Sequence, residues 1–183
     1  MAISQREARY FDSIFSHPSN NRYTLNLNGV SSLSIVSIVG HESLNTPWRY
    51  VITFTSPEKQ LKISDLLSQP ASLIFEAPQL AEQLAHISSL DMPARSRTLY
   101  GIITEFSMVS VSKDEARYQV VLVPRLALLA NDHNSAIYQN QSVVSVVEEV
   151  LRRHGFTGVD YHLILKENYP AREFITQWQE SDL

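Results

Sequence analysis

Residues 98–123 read TLYGIITEFSMVSV, then SKDE, then ARYQVVLV. The two outer runs are rich in β-branched and aromatic side chains, which fit a pleated, half-buried surface. Between them Ser112-Lys113-Asp114 is a polar turn, and two strand-like runs around a short polar turn predict an antiparallel hairpin over 98–111 and 116–123. Working outward, residues 48–55 (WRYVITFT) put Trp48, Tyr50, Ile52 and Phe54 on one face, with Arg49 and Thr53 opposite. Residues 22–28 (RYTLNLN) do the same with Tyr23, Leu25 and Leu27, and 33–39 (LSIVSIV) are mostly β-branched. Alternation with period two is the strand signal. So many short strands joined by polar turns predict a mainly β chain with some α, its antiparallel strands closing into a barrel or sandwich.

Helical signals are fewer. The strongest predicts a helix over 143–154. Ser142 suits the N-cap, and Val143, Val146, Val147, Val150 and Leu151 follow the spacing of a buried stripe. Glu148 with Arg152 and Glu149 with Arg153 stand at i,i+4. Gly155 sits where a left-handed residue ends a helix. Residues 64–68 predict one turn capped by Ser64. Residues 77–97, with Pro78 and Pro93, read as a long excursion between strands with a helical turn at 79–86. A polar run at Asn131-Asp132-His133-Asn134 marks a boundary. The expected division is an N-terminal extension at 1–21, a first barrel at 22–130 and the beginning of a mixed α+β domain at 131–183.

The 183 residues suit one domain, or one domain and part of another. Net charge is −4, without the basic excess of a nucleic-acid binder or the polybasic cluster of a membrane surface binder. With no cysteine, disulfides, thiolate metal sites and cysteine nucleophiles are excluded. Charges interrupt the N-terminal MAISQREARYFDSIF where a secretory signal needs an apolar stretch. The longest aliphatic run, Val120–Val123, is far too short to cross a bilayer. Export, if it occurs, is expected without a leader or an anchor.

Catalytic candidates are weak. His41-Glu42 resembles the start of a zinc-protease motif, but Asn45 stands where the second histidine must lie one helical turn on. A loop between two strands is the expected role. Asp132, His133 and Ser135 are close in sequence, yet triads assemble through the fold, and no G-x-S-x-G elbow accompanies them. Glu173, Glu180 and Asp182 are acids of the kind glycosidases pair, although surface and capping roles are commoner. Ser181 and Asp182 both suit an N-cap. No glycine-rich phosphate cradle is present, and Asn140-Gln141-Ser142 matches a glycosylation sequon only at chance level. No catalytic residue, metal or cofactor is expected, which favours a binding or structural part over an enzyme.

A string of features in the second half is more specific. Tyr118-x-Val120-x-Leu122-x-Pro124-x-Leu126-x-x-Leu129 is followed by Ile137-Tyr138-Gln139-Asn140-Gln141-Ser142-Val143. Gly155-Phe156, Tyr169-Pro170-x-Arg172-Glu173-Phe174 and Gln177-Trp178-x-Glu180-Ser181-Asp182 come next. Gly40-x-Glu42-x-Leu44, Pro47-Trp48, Leu66-Leu67-x-x-Pro70 and Gly101-Ile102-Ile103-Thr104 are weaker but collinear. In this order they resemble the VgrG family of type VI secretion spike proteins and the related phage late control protein D family, over about residues 22–183. Ala127 and Tyr100 depart from the family's usual aromatic and histidine, and the family continues past Leu183.

The resemblance implies a phage tail-tube-like barrel and the start of a second hub domain. It implies a homotrimer that docks on the hexameric Hcp tube, contacts baseplate proteins and secreted effectors, and carries a spike through a target membrane. The protein would wait in the bacterial cytoplasm and then leave through the type VI machine. A phage or prophage baseplate hub is the alternative. Arg172 and Glu173, with Glu180 and Asp182, are the candidates for structural or interface roles at a domain junction. Thr104, Glu105 and Ser107 report the register of the long hairpin, since burial of all three would contradict it.

Overall fold

The computed structural model describes residues 22–76 and 96–183. The expected N-terminal extension and most of the 77–97 excursion, including its helical turn, lie outside the described residues. The chain divides into two compact units at Pro124/Arg125.

The first unit is one antiparallel sheet. Its strands are β1 (Tyr23–Leu27), β2 (Ser34–Ser43), β3 (Thr46–Ser56), β4 (Pro70–Phe75), β5 (Arg97–Val111) and β6 (Ala116–Val123), in the order β1-β4-β5-β6-β3-β2. The sheet curls into a half-barrel. Alternation fills the inside of the curl. Tyr50, Ile52 and Phe54 of β3 stand opposite Leu122, Val120 and Tyr118 of β6, and all six are buried. Directly opposed residues share a face, so these pairs stack as one layer. Tyr118 stacks on Phe106 at 5.4 Å between ring centres and lies tilted against Phe54 at 5.6 Å. Its hydroxyl donates to the Glu58 carbonyl at 2.8 Å, which satisfies the polar end of a buried ring.

The 98–123 hairpin forms as expected. Ser112 Oγ accepts from the backbone N–H of Asp114 at 3.3 Å and of Glu115 at 3.1 Å, which closes the turn. Thr104, Glu105 and Ser107 are all exposed. Register shifts mark extra residues at Thr104 and Val109 of β5 and at Val36 of β2, and such bulges bend a strand and increase its twist. Pro47 and Trp48 fall at another shift, opposite Glu42, a place where a strand tolerates proline's missing donor.

Three expectations change here. His41-Glu42 lies at the end of β2 rather than in a loop. Ser64 does not cap a helix: it is the middle residue of the 3-10 turn Ile63–Asp65, and its hydroxyl bonds Asp65 at 2.9 Å. The short strand β4, opened by Pro70, had no clear alternation to announce it.

The second unit pairs β7 (His133–Gln141) with β8 (Arg172–Ser181) as an antiparallel ribbon beside helix α1 (Val143–Arg153). Ser142 caps α1 by accepting from the Ser145 N–H at 3.1 Å. The far end is a two-bond glycine cap. Gly155 has φ +73, its N–H reaches the Arg152 carbonyl at 3.0 Å, and the Phe156 N–H reaches the Leu151 carbonyl at 3.0 Å. That pairing satisfies carbonyls a helix end leaves free.

Leu129, from the 3-10 stretch Arg125–Asn131, joins Val150, Leu151 and Phe156 in a small core. The stretch therefore packs with α1, and the division falls a few residues before the expected 130/131. The apolar stripe of α1 is only partly covered, since Val147 remains 47% exposed. Of the two expected i,i+4 ion pairs, neither is formed in the described residues, because Arg153 turns to Asp182 instead. β7 leads directly into the expected helix.

Candidate functional site

Asp182 is a sequence-selected residue that the fold makes a centre of contacts. Its side chain has no solvent exposure. It accepts from Arg153 Nη2 at 2.9 Å, Gln177 Nε2 at 2.9 Å and Asn134 Nδ2 at 3.1 Å, and lies 2.6 Å from His154 Nε2. The Asp182 N–H also donates to the Asp132 carbonyl at 2.9 Å. Burial by itself would raise this carboxyl. The bonds from His154, Gln177, Asn134 and Arg153 outweigh burial and hold it well below the usual carboxylate range. The other ring nitrogen of His154, Nδ1, lies 3.4 Å from Asp132. The cluster thus ties the end of β8 to the start of β7 and to the C-terminus of α1. Asp182 is a buried anchor and not the N-cap its residue type suggested.

Of the remaining selected residues, Asp132 joins the cluster through its carbonyl and through His154, and the others stand apart from it. Arg172 and Glu173 are exposed at the start of β8, and as strand neighbours they point to opposite faces. Glu180 is exposed, with its carbonyl accepting from Gln177 Nε2 at 3.2 Å. Asp132, His133 and Ser135 form no triad. His133 is exposed in register with Ser181, and Ser135 Oγ accepts from the Gln179 N–H at 3.1 Å where the ribbon's register shifts. Among the described residues, no group of three or more histidines and acids could hold a metal ion.

A second polar cluster lies in the first unit. Glu42 accepts from the Tyr50 hydroxyl and from Arg97 Nη2, the latter at 2.7 Å. Hydrogen bonding from Tyr50, then from Arg97, lowers the Glu42 carboxyl, while burial and then the Glu42 bond push the Tyr50 phenol up to about 12. Two glycines make room for the aromatic rings nearby. A Cβ at Gly40 would meet the Tyr50 ring at 2.2 Å, and one at Gly101 would meet the Val123 carbonyl oxygen at 2.2 Å and Trp48 at 2.8 Å. Gly40, Glu42, Trp48 and Gly101, separate landmarks in the sequence, are thus brought together around Tyr50 and Trp48, whose rings pack edge-on at 5.8 Å. Arg97 joined this cluster without a sequence signal, because its partner Glu42 lies on β2, far away in the chain.

Two concave surfaces differ in character: the first mixes polar and apolar groups, and the second is apolar. A cleft of about 690 Å³ runs between the free edges of β1 and β2 and is lined by Tyr23, Ile35, Ile38, Tyr50 and Phe75, with Arg22 at one end. A groove of about 400 Å³ in the second unit is lined by Leu126, Leu129, Val146, Val147 and Phe156. The ribbon also leaves Ile137 66%, Phe174 58% and Trp178 71% exposed. No described helix is long and apolar enough to cross a membrane.

Comparison with known proteins agrees with this picture of a structural part. Residues 41–183 match the phage tail baseplate hub (GPD) family. Over 171 residues the chain is 29% identical to the type VI secretion system spike protein VgrG4b of Pseudomonas aeruginosa, covering 93% of this chain and 19% of that protein. It is 31% identical over 153 residues to VgrG1b of the same organism, covering 84% of this chain and 18% of that protein. The chain thus spans about a fifth of the length of these relatives. Among solved structures it is similar to the E. coli c3393 protein, with a TM-score of 0.72 and 39% identity, covering 87% of this chain and 40% of that one. That protein is described as a component of the type VI secretion system, structurally similar to the T4 bacteriophage tail proteins gp27 and gp5.

Proposed function

The chain belongs to the phage tail baseplate hub family, and from that premise we propose that it forms the hub end of a type VI secretion spike protein. The match over residues 41–183, joined to relatives that are type VI spike proteins, carries the reading. In this role the curled sheet of the first unit is a tube-like barrel. Its interior is packed with side chains, so it acts as a wall element and not as a pore. The second unit is the beginning of a second hub domain. A two-stranded ribbon is marginal alone, and the exposed Ile137, Phe174 and Trp178 are the surface that further strands or neighbouring subunits cover. Arg172 and Glu173 sit at the start of this ribbon as charges available to such neighbours.

The assembly is a homotrimer seated on an Hcp-like tube, which carries the spike and its effectors out of the cell. Its work is mechanical and needs no catalytic centre of its own, in keeping with aspartate and histidine pairs that serve packing. Light scattering on the full-length protein tests the proposal. A trimeric mass that binds Hcp rings is the expected result, and a stable monomer that ignores Hcp overturns it.

A further inference from the structure

The edges of the curled sheet face each other without pairing. β1 and β2 are joined by residues 28–33 and are consecutive in the chain, yet no ladder links them. The gap they leave is the cleft beside Tyr23, Ile35, Ile38 and Phe75. Strand edges left unpaired fray and accept foreign strands unless something holds or blunts them.

Glu42 and Arg97 stand on opposite walls. Counting along the strand order, three steps separate β2 from β5 whichever way round the curl they are taken. Their contact therefore crosses the curl and does not follow it. On the Arg97 wall the row Tyr23, Phe75, Arg97 runs across β1, β4 and β5, and the Arg97 guanidinium lies 5.9 Å from the centre of the Phe75 ring. On the other wall Tyr50 donates to Glu42, and its ring meets Phe75 edge-on at 5.9 Å. The shift that puts Pro47 and Trp48 opposite Glu42 breaks the β2–β3 ladder at that residue, as bulges do where they re-aim a side chain.

We propose that Glu42, gripped by Arg97 and Tyr50, is a latch that pins the free edge strand β2 across the mouth of the curl and sets how far the β1–β2 cleft opens. The latch is polar and only part-covered, with Glu42 39% and Arg97 55% exposed. It is therefore weakened by salt, whereas the apolar layer beneath it is not. Closing the sheet by side chains instead of by a seventh ladder leaves the two edges able to separate while β3 and β6 stay packed.

Hydrogen exchange on the whole chain tests this. Glu42→Gln, which keeps the shape and loses the charge, is expected to speed exchange in residues 34–43 about tenfold, as loss of a charge-assisted bond does. Residues 116–123 are expected to hold their protection. Arg97→Met should have the same effect, and the double variant should add little to either alone. Arg49→Gln is the control: it breaks a pair of similar exposure, Arg49–Glu105 at 3.0 Å, whose side chains come from β3 and β5 and make no contact with Glu42. Equal acceleration by Arg49→Gln, unchanged exchange in Glu42→Gln, or loss spread evenly into 116–123 each overturns the latch. Should the variants not fold, the wild type in about 1 M against about 0.05 M salt decides instead, since screening must loosen residues 34–43 and spare 116–123.

Discussion

The two units hold themselves together in different ways. The first has a continuous apolar layer inside a curled sheet, with Ile52, Phe54, Leu73, Tyr118, Val120 and Leu122 all at 0% exposure. The second has four buried apolar residues at its core, and it compensates with a buried carboxylate that collects donors from a helix end and two strands. An apolar layer is non-directional and tolerates small shifts. A buried charge is satisfied only in one geometry, and losing one partner leaves the others stranded. The packed layer of the first unit should therefore be robust to charge changes and sensitive to cavities, and the core of the second unit the reverse.

Predictions from this contrast can be ranked. Phe54→Ala should cost the first unit about 3–5 kcal/mol, read by denaturant unfolding with Trp48 as the reporter; a loss below about 1 kcal/mol would show that the layer is not what holds the sheet. Asp182→Ala should cost the second unit about 3 kcal/mol, because Arg153 and His154 lose a buried counter-charge, with Trp178 as the reporter. An undisturbed second unit would remove the contrast altogether.

The pH dependence sharpens the same point. Asp182 is lowered in the folded state from its ordinary 3.8. Its contribution is complete above that value and fades as pH falls through the folded one. Acid titration below about pH 4 should thus loosen the wild-type second unit progressively, and Asp182→Asn should flatten that slope. Ser142→Ala should cost about 1 kcal/mol through the lost cap, seen as a lower midpoint for α1. At the small end, Arg49→Ala should change stability by less than about 0.5 kcal/mol, since both it and Glu105 are largely exposed.

Legibility in the sequence followed the same division. β3 and β6 announce themselves because each alternates around a continuous core face, and Ser142 and Gly155 mark the ends of α1 through local backbone chemistry. β4 and β7 were not legible. β4 is short and opens on proline, and β7 (HNSAIYQNQ) is largely polar because much of the ribbon is open to solvent. For the polar clusters, residue type was informative and partnership was not. Asp182 stood out as an acid, but its donors lie at positions 134, 153, 154 and 177, and the expectation of an N-cap rested on local pattern alone. Glu42 was noted beside Gly40 without any hint of Arg97.

The sequence by itself determined the class of the chain, its long hairpin, the faces of its core strands and the capped helix. Each depends on periodicity or on neighbours within a few residues, where side-chain direction follows directly from backbone geometry. The tertiary structure alone decided the strand order, the unpaired β1–β2 edges, the residues that cross the curl, and the burial of Asp182. Those depend on contacts between positions tens of residues apart, where chain closure and packing select one arrangement from the many that the same local pattern allows.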